Sequence, residues 1–275
     1  MPELPEVETV ARSLRPQLVG KCIVGAVVHA PKTIQTPSPE VFGNMLVSQT
    51  ILAVSRRAKY VVITLTDHTL LVHLRMTGRL YMSDKDTPHD QDRWVRATIM
   101  FTDGQELRFS DSRRFGRMWL VTDTSTVFDK LGPEPLEDAF TPQVFYERML
   151  GSARGIKALL LDQAFLAGVG NIYADESLFR ANIHPLRSVN SLTHEEITAL
   201  YHTVRASLQA GIDHEGASIN WYRKPDGTKG SAQTAFFVYG RDGQPCLKCG
   251  TIIQKIRVAQ RGTHFCPSCQ PLTSA

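Results

Sequence analysis

Pro2 and Glu3 are the first residues whose types and spacing suggest chemistry. A small residue after the initiator methionine permits removal of Met1, and the chain would then begin on the secondary amine of Pro2 beside a carboxylate. An α-amino group titrates near ~8, so a usable neutral fraction exists at physiological pH. Amine nucleophiles condense with carbonyl-like carbon to Schiff bases. A secondary amine gives an iminium with no N–H to lose, which stays cationic and draws electrons. That suits opening a sugar and then eliminating its phosphates, with Glu3 placed to protonate the ring oxygen. On these residues alone, a proline-kinked leader before a helix is the plainer account.

The second chemical signal lies at the other end. Cys246-x2-Cys249 and Cys266-x2-Cys269 are two close pairs that can wrap one tetrahedral zinc ion from two knuckles. Four protein ligands leave no open position, so the metal is expected to be structural. Lys248, Lys255, Arg257 and Arg261 can offset the charge of four thiolates. The intervening hairpin, Thr251 to Phe265, presents Lys255, Arg257 and Arg261 with small residues, a set suited to phosphate. Cys22 stands alone in an apolar run and reads as a packed core cysteine.

These residues need elements to position them. Val7, Val10, Ala11, Leu14 and Leu18 recur at helical spacing, with Glu6 and Glu8 in the first turn and Gly20 as a stop. From Cys22 to about Leu120 the texture is short β-branched and aromatic runs, such as 22–28, 60–65, 69–74, 97–101 and 118–121. Such runs suggest a sandwich or barrel. Asp129–Pro142 carries three prolines and reads as a linker. Helical patterns follow from Pro142 to about Gly211, the last opened by a capping box, Thr193 with Glu196. Gly216 to Gln233 reads as a long loop, and 236–239 and 252–258 as strands around the cysteines.

Composition bounds the rest. A chain of 275 residues, 42% hydrophobic and 21% charged, is ordinary for a globular protein of two or more domains. No apolar run reaches the ~18 residues of a membrane helix. There is no basic-then-apolar leader, so an intracellular, cytoplasmic protein is expected. In a reducing compartment, clustered cysteines point to metal rather than disulfides. From Arg223 onward, eight Lys or Arg face two Asp, a net +6, whereas residues 136–222 carry −4. A basic tail is the footprint of a polyanion, although a merely solvated tail fits the charge equally well.

The segments PELPEVE (Pro2–Glu8), DSRRFG (Asp111–Gly116), GVGNIYADE (Gly168–Glu176) and QRGTHFCPSCQ (Gln260–Gln270) together resemble the formamidopyrimidine-DNA glycosylase family across nearly the whole chain. The resemblance implies an α+β protein with three parts. These are an N-terminal helix with a two-sheet β-sandwich (1–135), a helix–two-turn–helix domain (136–225) and a C-terminal zinc finger (226–275), with one structural zinc. It implies action on double-stranded DNA that contains an oxidised base, with no membrane partner; a monomer is expected because nothing in the sequence resembles a dimerisation heptad or half-site symmetry. The implied activity is a glycosylase that excises formamidopyrimidines and 8-oxoguanine, coupled to an abasic-site lyase. Pro2 would be the nucleophile and Glu3 the acid. Lys59 would donate a proton near the lesion phosphate, and Arg261 would grip phosphates and assist the second elimination. Met76, Arg113 and Phe115 would fill the void left by base flipping. Lys157 and Asn171, with Arg154 a weaker candidate, would contact phosphates.

Two departures matter. Trp94 stands where many relatives carry a DNA-contacting histidine, and the loop Gly216-Ala217-Ser218-Ile219-Asn220-Trp221 differs from the family's lesion-capping loop. An endonuclease VIII-like enzyme for oxidised pyrimidines is therefore the alternative within the class, although that branch opens PEGPE and this chain has Leu4. A non-catalytic DNA-binding relative is the alternative outside it.

Overall fold

Helix α1 (Leu4–Leu18) starts where Pro5 pre-sets the backbone in its first turn and where Glu3 and Glu6 form a capping box. Leu4, Val7, Val10, Ala11, Leu14 and Leu18 then fall on one buried stripe. The structure is a computed structural model and describes residues 1–219 and 221–272, so Asn220 of the divergent loop lies outside the described residues.

Beyond α1 run β1 (Ile23–Val28), β2 (Ile34–Thr36), α2 (Pro39–Leu46), β3 (Ile51–Arg57), β4 (Tyr60–Leu65), β5 (Thr69–His73), β6 (Gly78–Asp84), β7 (Val95–Phe101), β8 (Gln105–Asp111), β9 (Arg117–Val121) and the single turn α3 (Ser125–Phe128). They form two sheets, one ordered β1-β7-β8-β6 and the other β2-β9-β5-β4-β3. All pairs are antiparallel except β2 with β9. Inward residues of both sheets, among them Val54, Ile63, Ile99 and Phe109, share one core with the α1 stripe, which makes a sandwich. The outer face of the five-stranded sheet is also apolar, with Val62, Leu71 and Val121 packed against Trp119, Val127 and Phe128.

The second body contains α4 (Pro142–Met149), α5 (Ile156–Leu160), α6 (Asn171–Arg180), α7 (His194–Asp213) and the hairpin β10 (Gln254–Val258) and β11 (Arg261–Phe265). The capping box at the start of α7 forms as expected. Glu196 N–H donates to Thr193 Oγ1 at 3.2 Å and Thr193 N–H to Glu196 Oε2 at 2.9 Å.

Contacts group the chain into two units, residues 1–129 with 214–231 and residues 130–213 with 232–275. The loop 214–231 belongs with the sandwich because Tyr222 enters its core and Glu6 accepts the Ala217 N–H at 2.8 Å.

Three local expectations are corrected. Residues 130–141 are not a free linker, because Phe140 is buried and its carbonyl accepts the Tyr201 hydroxyl at 2.7 Å. Phe236–Tyr239 is not a strand. The N–H groups of Phe237, Val238 and Tyr239 all donate to the buried carboxylate of Glu176, each at 2.9 Å, which curls the backbone away from any ladder. Cys22 is half-buried, with its backbone in an isolated bridge to Thr50 rather than in the core.

Candidate active site and nucleic-acid interface

Pro2 and Glu3 are both buried at the mouth of α1, while Met1 stands exposed in front of them. Glu3 N–H donates to Glu6 Oε2 at 2.8 Å, and the second oxygen of Glu6 holds the Ala217 N–H. Gly216 sits at φ +80° against Glu6, where a Cβ would lie 2.9 Å from Glu6 Cγ. The loop therefore approaches the amine end only because this residue has no side chain.

Lys59 is buried in the β3–β4 turn, which passes through the left-handed region at Ala58 (φ 51°). The turn is braced to α1. Arg56 donates from Nε to Glu8 Oε2 and from a terminal nitrogen to Ala58 O, both at 3.1 Å, and Arg12 Nε donates to Glu8 Oε1 at 2.7 Å. Burial opposes ionisation of Glu8, but Arg12 and Arg56 together hold its carboxyl below the usual range. One helix thus carries the Pro2 end and fixes the lysine turn. His73 was not foreseen as part of this region. It accepts the Arg75 N–H through Nδ1 at 3.0 Å, and burial, then the charges of Arg75 and Lys59, pull its pKa down to about 3. It therefore stands neutral next to two cations.

Met76, Arg113 and Phe115 meet at one place. An Arg113 terminal nitrogen lies 3.3 Å from Met76 Sδ, and its guanidinium stands 4.8 Å from the Phe115 ring centroid. Composition would put Met76 and Phe115 in a core, yet they are 41% and 45% exposed. The organiser is Asp111, buried at the end of β8. Its carboxylate accepts the Thr77 hydroxyl, the Arg113 N–H at 3.2 Å and the Gly116 N–H at 2.7 Å, so it ties the 74–78 and 111–116 loops together. At Gly116 any Cβ would lie 2.3 Å from Phe109 Cζ, which explains the glycine after Phe115.

Trp94 is exposed, with the Arg93 guanidinium 4.8 Å from its ring centroid. It borders a cavity of about 410 Å³ on the face of β6 and β8 turned away from the core, lined also by Thr77, Arg79, Tyr81, Arg108 and Trp221. Arg79 lies 4.3 Å from the Tyr81 ring centroid, and Tyr81 donates its hydroxyl to Asp92 at 2.9 Å. Burial and the Asp92 carboxylate push the Tyr81 pKa up to about 12.

In the other unit, Arg154 is exposed and paired with Asp162 at 2.8 Å. Asn171 opens α6 and donates its amide to Gly262 O at 2.9 Å. Lys157, which the resemblance casts as a phosphate contact, lies on α5. It is fully buried, and its ammonium sits 2.6 Å from both Asp175 Oδ1 and Thr263 Oγ1. Arg261 is exposed at the start of β11, beside a two-residue turn in which Ala259 and Gln260 both have positive φ.

The four cysteine sulfurs all lie within 4.8 Å of one another, with Cys246 to Cys269 at 3.9 Å and Cys249 to Cys266 at 3.5 Å. Four sulfurs ~2.3 Å from a tetrahedral zinc are about 3.8 Å apart, so the set fits one ion with no position left open. Backbone N–H groups of Lys248 and Cys269 point at Cys246 and Cys266 Sγ, both at 3.4 Å, and orient these thiolates.

Among the described residues no helix is long and apolar enough to cross a membrane. Family models match three consecutive stretches. Residues 1–118 match the formamidopyrimidine-DNA glycosylase N-terminal domain, 131–223 its H2TH domain, and 243–272 the zinc finger found in FPG and IleRS. With that finger and this sulfur geometry, the four cysteines hold one structural zinc ion. The formamidopyrimidine-DNA glycosylase of Herpetosiphon aurantiacus is 49% identical, covering 98% of this chain and 100% of its own length. That of Chloroflexus aggregans is 47% identical, covering 99% of each chain. A mutant Lactococcus lactis FPG bound to Fapy-dG DNA superposes with a TM-score of 0.92 at 38% identity, covering 98% of this chain and 100% of that one. The Lactococcus lactis Fpg bound to abasic-site DNA gives 0.91 at 37%, covering 98% and 99%. The chain belongs to the formamidopyrimidine-DNA glycosylase family.

Proposed function

We propose that this chain is a bifunctional DNA glycosylase and abasic-site lyase that removes formamidopyrimidines and 8-oxoguanine from double-stranded DNA inside the cell. The observation that carries the reading is the exposed Met76–Arg113–Phe115 cluster, held out of the core by Asp111. A protein that extrudes a base must fill the hole in the stack. Two apolar plugs around a guanidinium able to hydrogen-bond the orphaned base do that.

The chemistry follows from the amine end. Once Met1 is removed, the Pro2 nitrogen attacks C1′ of the extruded nucleotide, and the base leaves with the electron pair of its glycosidic bond and takes up the proton that the amine gives up. Glu3 protonates the ring oxygen, the sugar opens, and the cationic iminium at C1′ acidifies the C2′ hydrogens. Loss of that proton expels the 3′ phosphate, and a second elimination expels the 5′ phosphate, leaving a one-nucleotide gap. Lys59 supplies a proton near the lesion phosphate, and Arg261 grips phosphates for the second elimination. The cavity beside Thr77 and Trp221 offers aromatic and guanidinium faces of the size and kind an extruded base needs. Phosphate contacts in the helical unit fall to the N-terminus of α6, with Asn171, and to Arg154. The zinc has no part in the bond-breaking steps.

Single-turnover excision on duplexes carrying ring-opened guanine, 8-oxoguanine or thymine glycol tests the reading. Faster cutting of the two purine lesions is expected. Preference for thymine glycol would move the chain to the pyrimidine type. Binding without cutting, by protein with a free Pro2 amine, would leave a DNA-binding protein only.

A further inference from the structure

We propose that Lys157, Asp175 and Thr263 form a buried clamp that positions Arg261, so that Lys157 serves the reaction through the finger arginine rather than by touching DNA. This rests on the reading of Arg261 as the phosphate-gripping group of the second elimination.

The hydrogen bonds have a forced direction. An ammonium only donates. Lys157 Nζ, 2.6 Å from Thr263 Oγ1, therefore makes that oxygen an acceptor and leaves the hydroxyl its one hydrogen to give elsewhere. It gives it to the carbonyl of Arg261, at 3.1 Å. Asp175 works from the other side. Its Oδ1 takes the second Lys157 bond at 2.6 Å, and its Oδ2 accepts the His264 N–H at 2.9 Å. Asn171 Nδ2 donates to Gly262 O at 2.9 Å. Four consecutive residues, Arg261 to His264, are each gripped by α5 or α6, directly or through one hydroxyl.

That grip matters because the hairpin is weakly determined by itself. It has two strands, and its turn places Ala259 and Gln260 at φ 47° and 60°, a region that costs L-residues free energy. A two-stranded ribbon is marginal in isolation. The zinc fixes the far end of β11 through Cys266, and the clamp fixes the end that carries Arg261. Burial of a lysine and an aspartate is costly unless both are paired and hydrogen-bonded, and here both are. A simple contact between body and finger would not need this charge or this polarity.

Thr263→Val is the mild variant, since it keeps the shape and removes only the hydroxyl, and Thr263→Ser restores it. On abasic-site DNA we expect Thr263→Val to slow the second elimination about tenfold relative to the first, so that the singly eliminated product accumulates. Thr263→Ser should partition products as the parent does. Zinc content per chain and the yield of borohydride-trapped complex should not change in either. In an Arg261→Gln background Thr263→Val should have no further effect on partition, because the residue acts through Arg261. Lys157→Met should reproduce the Thr263→Val pattern where it folds. If Arg261→Gln slows the second elimination but Thr263→Val does not, the clamp is refuted while the role of Arg261 stands. If Arg261→Gln leaves partition unchanged, the role of Arg261 falls and the clamp with it. Equal slowing by Thr263→Val and Thr263→Ser, or additive effects with Arg261→Gln, would reduce the clamp to ordinary packing.

Discussion

Buried charged and polar side chains do most of the positioning at the level of single residues. Asp111 shows why an acid at the end of a strand can matter more than the groups it displays. Asp111→Asn keeps the shape but sets an amide against donors, which should cost about 1–3 kcal/mol by leaving a buried N–H unsatisfied. It should also slow lesion excision more than cutting of abasic sites, where less of the base search remains; equal slowing of both would separate Asp111 from the void fillers. His73 makes a second prediction. Its folded pKa, about 3, lies below the ordinary 6.5, so the unfolded chain takes up the proton first. Its contribution to stability is whole above about pH 6.5 and declines as pH falls toward 3, with a slope of at most about 1.4 kcal/mol per pH unit. Urea midpoints between pH 4.5 and 7 should fall less steeply for His73→Gln than for the parent, and parallel curves would contradict this. The cysteine quartet was legible in the sequence because ligand spacing is local. Lys157 was not, because its partners lie 18 and 106 residues away and nothing in the sequence marks it as buried.

Among the elements, α1 joins the two halves of the amine-end chemistry. Pro2 and Glu3 lead into its first turn, and Glu8 in its second reaches Arg56 and so the Lys59 turn. Glu6 connects this helix to the 214–231 loop through two oxygens that both accept backbone N–H groups. Glu6→Gln retains one acceptor and turns an NH2 group toward the other donor. A loss of about 1–3 kcal/mol is expected, together with faster proteolysis within 214–231. Unchanged proteolysis would show that Tyr222 alone secures the loop. The helical periodicity of α1 and the apolar runs of β4, β5 and β9 were legible as elements. β8 was harder, since Glu106, Arg108 and Ser110 line its outer face, and the Arg108–Glu106 pair at 2.8 Å is nearly buried. Phe236–Tyr239 was misread for a related reason: its apolar run looks like a strand, but Glu176, some sixty residues earlier, takes its N–H groups.

At the scale of the molecule, the chain's charge asymmetry and its zinc belong to one function. The stretch from Arg223 onward carries a net +6 and includes the zinc hairpin. Chelating the zinc should release the finger, weaken duplex binding and flatten its salt dependence, since each neutralised phosphate contributes a slope of about 0.9. Anisotropy titrations at several salt concentrations would show this, and an unchanged slope would take the finger out of the interface. The broad order of β domain, helical domain and metal module was legible from texture alone. The return of residues 214–231 to the sandwich was not, because it depends on Tyr222 entering a core built mostly from the first 120 residues. Everything above turns on covalent chemistry at the amine of Pro2, which borohydride trapping can catch. Protein lacking Met1 is mixed with a duplex carrying 8-oxoguanine opposite cytosine and reduced. A covalent protein–DNA band is expected, absent when Met1 is retained and absent for Pro2→Gly with its amine blocked. No band on this duplex, on ring-opened guanine or on abasic-site DNA, with the proline amine confirmed free, would contradict it.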